Sequence, residues 1–357
     1  MTSVLQVSAP GKLVLLGEYA VLDGAPAVVA AVARRARVTA SPAPGRWWQV
    51  AAPGLTEGPA RFALDPSGAL RWASGGEGRG LELVERLFGG WSGAVGSPVG
   101  LLPPLALELD TAEFFDDAGG ARVKLGLGSS AALTAALASA LEAWAGGGGL
   151  PRPDLEWVRK AVALHRTIQG GRGSGLDVAA SLLGGVLEYR LDERQRVATA
   201  RPLARPDDLC WLAIWTGRPA ATGSFLERLE ARRSSHRAQV EGAMAALAAA
   251  AAAGVSAMER ADAGAFLEAV DASWAGFEAL GAAIEMPILS AEHRRIRRLA
   301  DGCGVRYKPS GAGGGDLGLA FADDGGRLDD LARRAAEAGF CLPELEIDAD
   351  GLLRTGM

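Results

Sequence analysis

Residues 123–133, V-K-L-G-L-G-S-S-A-A-L, decide how the rest of the chain is read. A short apolar run, Val123 and Leu125, turns through Gly126 and Gly128 into Ser129, Ser130 and a segment, 131–144, of helix-forming composition. A strand–glycine–helix junction leaves backbone N–H groups unpaired at the positive end of a helix dipole. That arrangement suits a phosphate, and two hydroxyls at the helix start can cap the helix or reach a magnesium ion. A glycine turn capped by serines, with no ligand, uses the same residues. The run G-x-G-x-x-A also fits a dinucleotide fingerprint, which needs a second strand ending in Asp or Glu about 20 residues on. Here the helix runs into a glycine tract, 146–149, and a second helical pattern at 154–169. The acidic strand end is missing, and G-x-x-x-x-G-K-[ST] occurs nowhere in the chain.

The 357 residues suffice for one large or two ordinary domains, and 49% hydrophobic with 22% charged residues places them in the soluble globular class. A net charge of −5 offers no attraction to nucleic acid or an anionic membrane. Two arginine-rich runs, 232–237 and 293–298, lie in helical patterns and read as solvated faces. Cys210, Cys303 and Cys341 stand far apart, which argues against zinc and disulfides and fits a reducing compartment. His165, His236 and His293 show no metal-ligand spacing. Residues 1–10 lack signal-peptide features, and the alanine-rich run 242–255 is too short to span a bilayer. The expectation is a cytoplasmic monomer or homodimer acting on small molecules.

Upstream of the loop, residues 4–7 alternate, A-P-G-K at 9–12 breaks the pattern and 13–16 resume it, which predicts two strands around a Pro-Gly turn. Lys12 is the only charge between Met1 and Glu18. Residues 27–32 read as a buried strand, 81–88 as a helix and 105–109 as a strand. Downstream, G-G-R-G-S-G-L-D at 170–177 forms a second glycine loop before a helix at 178–183. A helix dipole favours Asp177 there on structural grounds alone, while Arg172 and Ser174 beside it point to a ligand-facing carboxylate. A strand at 186–191 precedes a polar, proline-containing segment, 192–208, that reads as a domain boundary. Next come a strand at 209–215 and helical patterns at 221–253, 256–281 and 290–300. K-P-S-G-A-G-G-G-D at 308–316 is a third glycine loop, immediately before a strand at 317–321. A helix at 327–338 and a closing strand at 345–347 complete an α+β pattern with domains at 1–200 and 201–357.

Three motifs in this order resemble those of the GHMP kinase superfamily: A-P-G-K at 9–12 with Gly17 and Glu18, G-L-G-S-S-A-A at 126–132, and S-G-A-G-G-G-D at 310–316. They span nearly the whole chain. Finer features, G-E-Y-A-V at 17–21, K-L-G-L-G-S-S-A at 124–131, G-S-G-L-D-V-A at 173–179 and W-T-G-R-P-A at 215–220, are most similar to the phosphomevalonate kinases of that superfamily. Mevalonate kinases usually carry His where Tyr19 stands and P-S-G-x-D where this chain has residues 173–177. They also place a metal-binding Glu about a turn before that loop, where this chain offers His165, Arg166 and Gln169.

The resemblance implies a two-domain GHMP kinase fold, with an N-terminal ribosomal-protein-S5-domain-2-like half, a C-terminal ferredoxin-like half with added helices, and an active site in the cleft between them. It implies transfer of the γ-phosphoryl of ATP, with Mg²⁺, to (R)-5-phosphomevalonate. On this basis Lys124, Gly126, Leu127, Gly128, Ser129, Ser130 and Ala131 bind ATP, with Ser129 and Ser130 also the candidates for the metal. Asp177 and Lys12 are the catalytic candidates. Lys12, Glu18, Tyr19, Arg172, Ser174, Gly175, Ser310, Gly311, Ala312 and Gly313 are assigned to the acceptor. An alcohol acceptor needs a base, whereas a phosphate monoester, with a second pKa of about 6, is already mostly dianionic at neutral pH. A phosphate acceptor therefore leans less on Asp177 and more on cations such as Lys12, Arg172 and Arg218. Mevalonate kinase and a non-catalytic sensor of the same fold are the alternatives. The joint presence of Lys12, Ser129, Ser130 and Asp177 weighs against the sensor.

Overall fold

Apolar runs near the start of the chain build its largest sheet. The structure, a computed structural model, describes residues 4–66, 68–96, 99–118, 121–146, 153–171, 173–192, 197–220 and 222–356. β1 (Leu5–Leu16) is one strand, antiparallel to β2 (Ala27–Pro42), where the sequence predicts two strands around a turn. A bulge explains the difference. Pro10 faces Arg35 and Gly11 faces Val32, so Ala33 and Arg34 are extra on β2 and absorb the proline without ending the ladder.

The first half continues with β3 (Trp48–Ala51), β4 (Ala60–Leu64), β5 (Leu70–Trp72), α1 (Glu82–Ala94) and β6 (Leu105–Asp110). A small hairpin, β7 (Phe115–Ala118) and β8 (Ala121–Lys124), leads into α2 (Ser129–Ala145). α3 (Leu155–Ile168), α4 (Leu176–Leu183), β9 (Val186–Asp192) and β10 (Val197–Pro202) follow. The second half holds β11 (Cys210–Trp215), α5 (Thr222–Ser235), α6 (Arg237–Glu259), α7 (Ala263–Ile284), α8 (Ala291–Asp301), β12 (Arg306–Pro309), β13 (Leu317–Ala322), α9 (Gly325–Glu337) and β14 (Leu353–Gly356).

The nine-stranded sheet runs β10-β9-β2-β6-β3-β4-β5, with β1 on the other edge of β2 and β14 outside β1. Its pairs are antiparallel except β3 with β6. A second sheet, β11-β13-β12, is antiparallel throughout. Helices α2 and α4 lie against β1 and β2, while α8 and α9 pack on the smaller sheet. One apolar core runs from Leu13, Val29 and Leu137 through Val255 and Phe266 to Phe321. Residue 200 lies within β10, and the chain leaves the large sheet after Pro202.

Three local expectations change. The helical patterns at 221–253 and 256–281 break at His236 and near Ala261 instead, because the alanine-rich face of α6 continues through Gly254. Gly254 is a close-approach residue, not a terminator: a Cβ there would sit 2.1 Å from Leu16 Cδ1 on β1. The closing strand lies at 353–356. Of residues 345–347 only Ile347 bridges, to Val32. The run at 293–298 is not simply a solvated face. His293 is fully buried, hydrogen-bonded through Nδ1 to Tyr307 Oη at 2.8 Å and through Nε2 to Gly315 O at 3.2 Å. Among the described residues α6 alone is long and apolar enough to cross a membrane, and half of its apolar stretch is buried within the protein.

Candidate active site

Two glycines make the first close approach. Gly126 and Gly128 have φ of 75° and 78°, a region that costs an L side chain strain. A Cβ on Gly126 would also lie 2.6 Å from the Asp316 carboxyl carbon. The turn so formed delivers α2 with Gly128 as its N-cap and no side-chain cap on its first turn. That helix start lies at a cavity of about 690 Å³ lined by Lys124, Ser129, Ser130 and Ala131. Phosphate oxygens are the chemistry such a helix start accepts.

Lys12 reaches the same loop from β1. Its backbone N–H donates to Leu127 O at 2.9 Å, and its Nζ donates to Gly126 O at 3.2 Å. Burial pushes the Lys12 ammonium below its ordinary value, and the carboxylates of Asp177, Asp316 and Glu18 partly restore it. Opposite, α4 begins on Gly175 and carries Asp177 in its first turn. Asp177 Oδ1 accepts from the N–H of Val178 at 3.0 Å, and the Tyr189 hydroxyl holds the loop by donating to Ser174 O at 2.5 Å.

The third loop closes the cavity. Tyr19 Oη donates to Ala312 O at 2.5 Å, and Gly311 N–H donates to Glu18 Oε1 at 3.3 Å. Beneath, Lys308 forms a buried ion pair with Glu18 and donates to Pro309 O at 2.6 Å. Burial lowers the Lys308 ammonium, and Glu18 opposes that shift. An unpaired charge at this depth would be costly, so the pair locks the turn after β1 to the start of the third loop.

Most of the sequence-predicted residues meet here. Lys12, Glu18, Tyr19, Ser174, Asp177, Gly311 and Ala312 line the same cavity as the phosphate loop. Leu127, Gly175, Ser310 and Gly313 lie behind the wall. The Ser310 hydroxyl is taken up by β1, accepting from Val14 N–H at 3.0 Å and donating to Val14 O at 3.1 Å. Arg218 turns outward to Glu292, with Nε 3.0 Å from Oε1. Arg172 and residues 147–149 of the glycine tract lie outside the described residues.

Asp316 is the residue that the motif reading passes over. It holds φ of 53°, accepts from Ala220 N–H at 3.1 Å and brings its carboxylate against Gly126 between Lys12 and Lys124. Burial raises its pKa, and the two lysines oppose the rise. A non-glycine residue in left-handed backbone is uncommon and concentrates at functional sites. Only the density of glycine before it hints at this in the sequence.

The donors are hydroxyl and carboxylate oxygens, and no group of three His, Cys, Asp or Glu among the described residues makes a closed metal cage. That set fits a magnesium ion carried mainly by nucleotide phosphates and water, touched by one or two protein oxygens.

Residues 118–185 match the GHMP kinases N terminal domain. The chain is 30% identical over 358 residues to a phosphomevalonate kinase of Streptomyces sp. (strain CL190), covering 88% of this chain and 89% of that one. A Listeria innocua protein superposes with a TM-score of 0.83 at 22% identity, covering 99% of each chain. Streptococcus pneumoniae phosphomevalonate kinase, in complex with phosphomevalonate and AMPPNP, superposes with a TM-score of 0.74 at 20% identity over 96% of this chain and 99% of that one.

Proposed function

Because the chain belongs to the GHMP kinase family and is therefore an ATP-dependent kinase, we propose that its acceptor is 5-phosphomevalonate. The product of the transfer is 5-diphosphomevalonate, with ADP released. The observation that carries this reading is the 30% identity to a phosphomevalonate kinase across 88% of the chain. The cleft supports it, because two glycine-started helices, α2 and α4, open into one cavity with Lys12 between them.

Phosphoryl transfer needs positioning and charge neutralisation more than covalent help. In this reading the first-turn N–H groups of α2 hold the ATP phosphates, and Lys12 Nζ neutralises charge where the two anions meet. An acceptor phosphate oxygen attacks the γ-phosphorus, and the bond to the β,γ-bridging oxygen breaks, leaving with ADP. A dianionic acceptor gives up no proton, so Asp177 keeps Lys12 charged and aimed instead of acting as a strong base. The hydroxyls at the start of α2, Ser129 and Ser130, would divide between magnesium and the phosphate oxygens, and magnesium when bound would supply charge neutralisation.

The test is ADP release with ATP and Mg²⁺, comparing mevalonate with 5-phosphomevalonate. Turnover with 5-phosphomevalonate alone is expected. Turnover with mevalonate alone, or with neither, overturns the acceptor assignment.

A further inference from the structure

α3, capped by Asp154, carries His165 in its last turn beneath the cleft floor. The ring is 1% exposed. Its Nε2 lies 3.4 Å from Ser130 Oγ, on the nucleotide side of the cleft. Its Nδ1 lies 3.9 Å from Asp177 Oδ1, on the acceptor side, and makes no hydrogen bond among the described residues. A buried polar atom without a partner calls for an explanation. The nearest answer is the carboxylate it faces.

We propose that His165 is a positioning residue that ties the two halves of the site together, with Nδ1–H donating to Asp177 and Nε2 accepting from the Ser130 hydroxyl. A neutral imidazole has one donor and one acceptor nitrogen. The opposite tautomer would set the Nδ1 lone pair against a carboxylate, two acceptors face to face, so the Asp177 charge selects the tautomer. The contacts are long, as such contacts often are before substrates load, and they tighten when the cleft fills.

This arrangement assigns different work to the two serines. The Ser130 proton is committed inward, so its oxygen presents only lone pairs to the cleft and suits a cation. Among the described residues Ser129 Oγ makes no such side-chain hydrogen bond and stays free to donate to a phosphate oxygen. The inference rests on Ser130 and Asp177 facing the transfer, as in the reading above, and is independent of which acceptor is used.

The chain has three histidines, so ring ¹⁵N spectra of histidine-labelled protein are assignable by substitution, with AMPPNP and Mg²⁺ as the loading probe. The expected result is a His165 ring protonated at Nδ1, with an Nε2 signal that shifts in Ser130→Ala. In the AMPPNP complex, Ser130→Ala should weaken Mn²⁺ binding roughly 10-fold, while Ser129→Ala weakens AMPPNP binding itself. His165→Phe should lower kcat roughly 10- to 100-fold, the usual cost of removing a group that orients a ligand-bearing side chain. His165→Asn, which keeps a donor toward Asp177, should recover part of that loss. A ring protonated at Nε2, or protonated at both nitrogens in the loaded complex, overturns the proposal. The expected tautomer in a protein that fails to turn over 5-phosphomevalonate supports the proposal while sinking the acceptor assignment.

Discussion

Helices begin in two ways in this molecule. α3, α7, α8 and α9 start on Asp154, Asp262, Ser290 and Asp324, each accepting a hydrogen bond from its own first turn. α2 starts on Gly128, at the cavity, with no side-chain cap. A side-chain cap contributes about 0.5–2 kcal/mol, and at α2 that stabilisation is left for a ligand to supply. α1 and α6 also start uncapped, on Leu81 and His236, so a missing cap marks the cleft only where it follows a glycine turn at the cavity, as at α2.

The largest effect expected of this contrast is acid sensitivity at a self-capped start. His293, in the first turn of α8, has its pKa lowered to about 4, with burial the main cause. Its ordinary value is 6.5, so below pH 6.5 the unfolded chain takes up a proton that the folded chain refuses. Stability present above pH 6.5 is therefore lost as pH falls toward 4, by roughly 3 kcal/mol in all. Denaturant midpoints across that window should slope downward, and an equal slope in His293→Gln would remove His293 as the cause.

Next is Gly126→Ala at the ligand-capped start. Left-handed strain of about 1–2 kcal/mol adds to the clash with Asp316, for a loss of about 100-fold in kcat/KM. Steady-state kinetics near the parent value would show that the loop geometry is dispensable. The thermal shift given by AMPPNP with Mg²⁺ at 100 times its Kd, worth about 2.7 kcal/mol in the parent, should shrink in the same variant. Smallest is Asp154→Ala, expected to cost about 1 kcal/mol of stability with KM for ATP unchanged. A raised KM would mean that the α3 cap also serves the site.

The three glycine loops were legible because each is a local departure from ordinary composition, and the structure brings Lys12, Ser129, Ser130, Asp177 and Gly311 to one cavity. Burial within a loop was not legible. Nothing local distinguishes Gly311, at the cavity, from Ser310, whose hydroxyl serves β1. Pro10 and Gly11 look like a turn until the two extra residues on β2 are known. Partnerships across the length of the chain were hidden for the same reason. Glu18 with Lys308, Gly126 with Asp316 and Ser130 with His165 each join residues whose own neighbourhoods say nothing of the other.

The pairing of β1 with β14 sets the order in which a nascent chain can be completed. Leu5 and Ser8 find Gly356 and Leu353 as partners, and Arg35 reaches Asp348 and Gly351 O. During synthesis β1 emerges before β14 and has one bare edge until then, because the strand that covers it is made only after every residue of the cleft. An uncovered edge invites pairing with other chains. A chain cut after Asp350 would keep the whole cleft and still leave β1 open to its neighbours on the ribosome.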